Sequence, residues 1–238
     1  MAWDNLKILA VVPARCGSKG IAEKNLKVIA GFSLIAWAAK TLNNISWIDH
    51  SIISTDSQKY ADEGVSSGLD APFLRPPELS TDLSYSIDVW AHAWSMAEKI
   101  YDKQFDISLL IEPTSPLREP IDIEKTVNIL IEGNYSTAIT VSRNPAHFTP
   151  EKTLKIDNEG ILKPYLDSEI NFSLRQKIPE YYYKNGICYA ATRNAIMKDK
   201  EIFGNNCVGV VIERPVVNID NKTELELAEF YLNKRNKN

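Results

Sequence analysis

Along most of the chain, short apolar or β-branched runs alternate with helical patterns, and this alternation restricts the fold more than any other feature. Residues 8–12 read as a buried strand, 34–42 as a helix, 51–54 as a strand and 58–67 as a polar helix. A short strand at 72–74, a long amphipathic helix at 86–101 and a fully apolar strand at 107–111 follow. The next helix, 120–132, opens with Pro120 and acidic residues suited to a helix N-terminus, and 137–141 is another strand. Strands separated by helix-length connections pair in parallel, with helices covering the sheet. The expected architecture is therefore α/β, built on a doubly wound, mostly parallel sheet. Ligands of such sheets bind beyond the carboxyl ends of the strands, where the loop after 8–12, Thr55-Asp56 and the 113–118 turn would gather. From 144 to 184 the pattern breaks, with Pro145, Pro150, Pro164 and Pro179 and few apolar repeats, so this stretch reads as an insertion. Regular structure resumes with a strand at 186–191, a short helix at 194–198, a strand at 208–212 and a closing helix at 223–234.

Chemistry is concentrated in the loop after the first strand, residues 14–25, A-R-C-G-S-K-G-I-A-E-K-N. Gly17, Ser18 and Gly20 free the backbone to turn its amides toward one point, and Arg15, Lys19 and Lys24 add three cations. A triphosphate is the natural guest, and an ordinary basic surface turn is the other reading. Neither G-x-x-x-x-G-K-[ST] nor G-x-G-x-x-G is present, which sets aside two common phosphate loops. The net charge of -4 argues against a nucleic-acid partner, since outside the loop the basic residues cluster only in the tail, at Lys234, Arg235 and Lys237. No signal peptide or membrane-length apolar run is visible, so no membrane partner and a cytoplasmic location are expected. Cys16, Cys188 and Cys207 are too scattered for a disulfide framework, and His50, His92 and His147 lack metal-ligand spacing. Length alone requires no more than one domain.

Four further segments, read with the loop, resemble the CMP-sialic acid synthetase family, the acylneuraminate cytidylyltransferases. The family's A-R-x-x-S-K-G-[IL]-x-x-K-N is complete at 14–25, followed by S-T-D at 54–56, R-P-P-E-L-S-T-D at 75–82 and P-T-S-P-L-R at 113–118. Arg175, Gln176 and Pro179, then Asn185, Gly186 and Tyr189, look like the family's R-Q-x-[IL]-P and N-G-x-x-Y stretches. The resemblance implies a Rossmann-like three-layer sandwich in which 1–238 form a single nucleotidyltransferase domain. It also implies transfer of CMP from CTP to the anomeric hydroxyl of a sugar acid, with pyrophosphate released and Mg2+ as cofactor.

On this resemblance, Lys24, Arg15 and Asp220 carry the catalytic roles, and Ala14, Arg15, Gly17, Ser18, Lys19, Lys24, Asn25, Arg75, Ser80 and Asp82 hold the nucleotide. Glu112, Thr114, Ser115, Arg175, Gln176, Asn185 and Tyr189 face the acceptor, and Asp220 with Asn218 holds the metal. A guanidinium at 175 suits a sugar carboxylate, to which it offers two parallel donors. Two positions depart from the family. Asn218 stands where an aspartate is common, which removes one negative charge from the metal site. Glu112 stands where glutamine is common, and a carboxylate accepts hydrogen bonds without donating them. Tyr183, where some relatives carry arginine, points with Glu112 to a changed sugar, so sialic, legionaminic, pseudaminic and related nonulosonic acids are all candidates. Residues 144–184 match the region that forms an arm crossing to a second subunit in this family, which implies a homodimer. Its aromatics Phe148, Tyr165, Phe172, Tyr181, Tyr182 and Tyr183 would otherwise face water. Alternative readings are a cytidylyltransferase for a Kdo-type acid or a phosphonate, and a non-catalytic nucleotide-binding protein.

Overall fold

The computed structural model describes residues 5–166 and 178–235. Its centre is a six-stranded sheet made of β1 (Ile8–Pro13), β4 (His50–Ser54), β5 (Ile107–Leu110), β6 (Thr137–Arg143), β9 (Tyr182–Thr192) and β10 (Cys207–Val211), in the order β10-β6-β9-β5-β1-β4. Two small antiparallel pairs lie outside it: β2 (Val28–Ile29) with β3 (Phe32–Ser33), and β7 (Leu154–Ile156) with β8 (Leu162–Pro164). Five of the six central strands run the same way, and β9 alone runs against its neighbours β5 and β6.

The period-2 geometry of a strand explains the three layers. In β1, Ile8, Ala10 and Val12 point to one face and Leu9 and Val11 to the other, all fully buried. The first face packs against α1 (Leu34–Leu42), α2 (Gln58–Ser66) and α4 (Pro120–Glu132) through Ile35, Ala38, Tyr60, Ile123 and Val127. The second packs against α3 (Ser86–Tyr101), whose Trp90, Ala93, Trp94 and Ala97 recur at helical spacing and are wholly buried. The closing helix α5 (Lys222–Arg235) buries Ala228 and Leu232 in a smaller cluster with Ile29, Leu34, Leu117 and Ile219. Several helix starts carry the expected chemistry. The Ser33 side chain caps α1 by accepting from the Ala36 amide, and Glu119 and Asp122 form a reciprocal capping box ahead of Pro120.

Two expectations need correction. A strand is expected at 186–191, and β9 covers it but starts earlier, at Tyr182, and runs antiparallel to its neighbours. Its excursion leaves the carboxyl end of β6, and Tyr182 pairs there with Arg143, so the chain re-enters the sheet at the end it left. A parallel strand would need a crossover back to the opposite edge. Residues 72–74 form no strand. Pro72, Pro76 and Pro77 lack backbone donors, and the bridge between Ile52 and Asp70 takes the sheet edge beside them. The 194–198 segment is a single π-helical turn, Ala195–Asp199.

Candidate active site

The parallel strands deliver their connections to one edge. Strand β1 sits between β4 and β5, so the chain departs from it to opposite sides and leaves a crevice beyond its carboxyl end. A cleft of about 390 Å³ opens there, lined by Arg15, Ser18, Lys19, Gly20, Lys24 and Asn25 from the loop after β1. Arg75, Thr81, Asp82, Ser84, Ser86 and Val89 line the side toward α3, Glu112, Pro113 and Thr114 the end of β5, and Asp220 the approach to α5.

The loop is tied down along its length. Asp56 accepts the Cys16 amide at 2.8 Å, and buried Asn25 donates to the Arg15 carbonyl at 3.3 Å. Lys24 reaches across to the segment before α5, where its ammonium donates to the Ile219 carbonyl at 2.7 Å and to Asp220 Oδ1 at 2.9 Å. The two partners differ in freedom: the Lys24 side chain is 14% exposed and that of Asp220 is 80% exposed. Gly20 makes this approach possible. A Cβ built there would lie 2.3 Å from the Asp220 carbonyl oxygen, a backbone atom that cannot swing aside. Gly20→Ala is accordingly expected to cost about 1–3 kcal/mol, read as a lowered denaturant midpoint, and an unchanged midpoint would mean that the two segments do not meet.

Arg15 and Lys19 both hold Asp82, at 2.6 and 2.5 Å, and their hydrogen bonds keep its carboxyl below the usual carboxylate range. Arg75 is 4% exposed; its Nε donates to Ser80 Oγ at 3.1 Å, while one terminal nitrogen is buried without a partner. Burial pushes this guanidinium down from its ordinary value, against the nearby Asp56.

Below the β5 end of the cleft lies a polar layer. Glu112 Oε2 accepts from Asn218 Nδ2 at 3.1 Å. The buried Tyr189 phenol is raised well above its ordinary value, first by burial and then by the charge of Glu112 and its hydrogen bond to that carboxylate. Ser115 donates to the Asn185 carbonyl at 2.6 Å, and the Asn185 amide donates to Ser142 at 3.0 Å. Arg118 is wholly buried beneath them, donating to the carbonyls of Glu112 at 2.6 Å, Gly186 at 2.9 Å and Ile187. Burial lowers its guanidinium to about 10, which leaves it a cation at neutral pH.

The structure thus gathers Arg15, Ser18, Lys19, Lys24, Asn25, Arg75, Asp82, Glu112, Thr114 and Asp220 on one cleft. Ala14 is in the core, Gly17 turns the loop at φ 83°, and Ser80 sits behind Arg75. Ser115, Asn185 and Tyr189 lie under the wall, and Asn218 reaches the cleft through Glu112. Arg175 and Gln176 fall outside the described residues. Sequence reading missed Arg118 as the clamp of this layer, although P-T-S-P-L-R contains it, and missed Ser84 and Ser86, which continue S-T-D into the start of α3. Among the described residues, no group of three or more His, Cys, Asp or Glu is placed to hold a metal, and no helix is long and apolar enough to cross a membrane.

A glycine-containing loop carrying Arg15, Lys19 and Lys24 sits at the switch point of a doubly wound sheet, with a lysine and an aspartate meeting across the cleft, and this arrangement fits an α/β protein of the nucleotidyltransferase kind. Residues 9–234 match the cytidylyltransferase family, and the chain belongs to it, in its sialic acid branch. It is 31% identical over 224 residues to the CMP-N,N'-diacetyllegionaminic acid synthase of Legionella pneumophila, covering 94% of each chain. It is 28% identical over 234 residues to the N-acylneuraminate cytidylyltransferase of Escherichia coli, covering 97% of this chain and 53% of that protein. In fold it is similar to a CMP:2-keto-3-deoxy-manno-octonic acid synthetase solved with CTP, with a TM-score of 0.70 at 16% identity over 96% of this chain and 99% of that one.

Proposed function

We propose that this protein transfers CMP from CTP to the anomeric hydroxyl of a sialic acid-like nonulosonic acid, releasing pyrophosphate. The observation that carries the reading is the meeting of Arg15, Lys19 and Lys24 with Asp220 in one cleft, in a chain that belongs to the cytidylyltransferases. The acceptor oxygen attacks the α-phosphorus as the bond to the β-phosphate breaks, and the hydroxyl proton is lost. Little covalent work is asked of the protein, so positioning and charge stabilisation dominate. Arg15 and Lys19, which hold Asp82 in the free cleft, would take triphosphate oxygens in its place, with Ser18 and the loop amides completing the cradle. Buried Arg75, which lines the cleft and has an unpartnered guanidinium nitrogen, would read the base or ribose. Arg175 and Gln176 belong to the acceptor site of this proposal.

The donor set suits Mg2+ bound in its usual mode, through one or two carboxylates and substrate phosphates rather than an all-protein cage. Asp220, exposed and facing the cleft, would hold it with the Asn218 side-chain oxygen, and the ion would neutralise charge on the phosphate oxygens. A homodimer is part of the proposal. Leu154, Ile156, Ile161, Leu162 and Tyr165 on and around the β7–β8 hairpin are more than half exposed, as residues covered by a second subunit would be in an isolated chain. A protein using CTP would work in the cytoplasm.

Pyrophosphate release tests the reading directly. With CTP, Mg2+ and a panel of sialic, legionaminic and pseudaminic acids, Kdo and a phosphonate, turnover is expected with a nine-carbon acid and is expected to vanish with EDTA. Turnover confined to Kdo or the phosphonate would move the acceptor class, and CTP binding with no turnover across the panel would make this a nucleotide-binding protein.

A further inference from the structure

The cleft is asymmetric in a way that bears on the acceptor. Strand order places β4, with Thr55 and Arg75, on one side of the phosphate loop, and β5 and β9 on the other. A nucleotide held by the loop and Arg75 leaves the β5/β9 side for the second substrate. There the charged side chain at the wall is Glu112, and it is a built group rather than a loose surface carboxylate. Asn218 donates to its Oε2 at 3.1 Å, and the phenol of Tyr189, itself 6% exposed, lies near enough for the Glu112 charge to raise it. Gly186 lets them converge: at φ +70°, a Cβ there would sit 2.3 Å from Glu112 Oε2 and 2.8 Å from Asn218 Nδ2. Arg118 fixes the backbone of Glu112 and Gly186 from below.

A carboxylate has about four lone-pair positions and no donor. Asn218 takes one of them, and those that remain, on a residue that lines the cleft, can only accept. Resting on the proposed acceptor reaction, we infer that Glu112 is the residue that selects the acceptor, and that it does so by demanding a hydrogen-bond donor: an amide N–H, an ammonium or a hydroxyl of the sugar acid. Asn218 and Tyr189 are its positioning residues. An acceptor that presents a methylated, donor-free substituent or an anionic group at that point is refused, because the cleft-facing lone pairs of a desolvated carboxylate then have no donor.

The experiment crosses enzyme variants with acceptor analogues. A nonulosonic acid turned over by the wild type is compared with derivatives in which single hydroxyl or amide donors are methylated, and kcat/KM is measured for wild type, Glu112→Gln and Tyr189→Phe. For one derivative the wild type is expected to lose about tenfold or more, as for a hydrogen bond to a charged group. Glu112→Gln, whose amide can donate as well as accept, is expected to lose less than about threefold on that same derivative. The KM for CTP stays within about twofold in Glu112→Gln and Tyr189→Phe, and Tyr189→Phe shows a partial rise in acceptor KM. Asn218→Asp, which sets two carboxylates against each other, is expected to weaken acceptor binding, and Glu112→Gln with Asn218→Asp, which keeps the contact with donor and acceptor exchanged, to recover it. Equal discrimination by wild type and Glu112→Gln across all derivatives overturns the inference while leaving the cytidylyl transfer intact. A wild type that turns over no sugar acid overturns both.

Discussion

Arg118→Met is expected to destabilise the fold by about 3–5 kcal/mol, lowering the thermal midpoint by roughly 10 °C or more. The size follows from what the guanidinium does. It is wholly buried and bonds three carbonyls, two of them in β9 where its register against β6 shifts and one at Glu112, where β5 has ended. Methionine fills much of the volume but donates nothing, so three buried carbonyls lose their partner together, at about 1 kcal/mol or more each. Arg118→Lys should recover only part of the loss, because one ammonium cannot reproduce the planar fork. The charge itself adds no stability: burial lowers the guanidinium to about 10, so holding it protonated at neutral pH costs folding energy. A loss below about 1 kcal/mol for Arg118→Met, measured by denaturant unfolding, would mean that the carbonyls find other donors and that the clamp is dispensable.

The same residue shows where sequence reading reaches its limit. The doubly wound sheet was legible because its signals are local: 8–12 and 107–111 are apolar runs of strand length, and the Trp90, Ala93, Trp94 and Ala97 face of α3 repeats at helical spacing. The cationic loop after β1 was legible for a similar reason, since Gly17, Ser18 and Gly20 among three cations are turn and charge chemistry within twelve consecutive positions. The direction of β9 was not, because it depends on where the chain re-enters the sheet after a proline-broken excursion, a matter of non-local pairing. The pairing of Lys24 with Ile219 and Asp220 spans nearly the whole chain, and no periodicity encodes it. Burial was equally hidden. Ser115, Asn185 and Tyr189 sit in motifs that read as substrate-facing, yet all three are buried, and Ser115 and Asn185 bond the Asn185 carbonyl and Ser142 beneath the cleft surface. A motif names residue types in order, while the depth of each is set by packing from strands distant in sequence.

Lys24→Ala is expected to reduce kcat by about 10²–10³-fold, the effect of removing one preorganised donor to developing charge. The asymmetry of its contacts supports a role in turnover beyond loop anchoring. The ammonium has three donors, of which one goes to the Ile219 carbonyl, a fixed backbone acceptor, and one to Asp220, whose side chain is largely free in solvent. If Asp220 holds a cation as proposed, Lys24 would stay anchored at the Ile219 carbonyl with two donors left for phosphate oxygens. If it served only to pin the loop, Lys24→Ala would raise the KM for CTP and lower the unfolding midpoint, with kcat preserved at saturation. If it stabilises the transition state, the loss stays in kcat at saturating CTP and the unfolding midpoint moves by no more than about 1 kcal/mol. The double variant with Asp220→Asn separates the two further. Should Lys24 act only through Asp220, the double variant would be no slower than the worse single one, whereas independent contacts with the triphosphate make the two losses multiply.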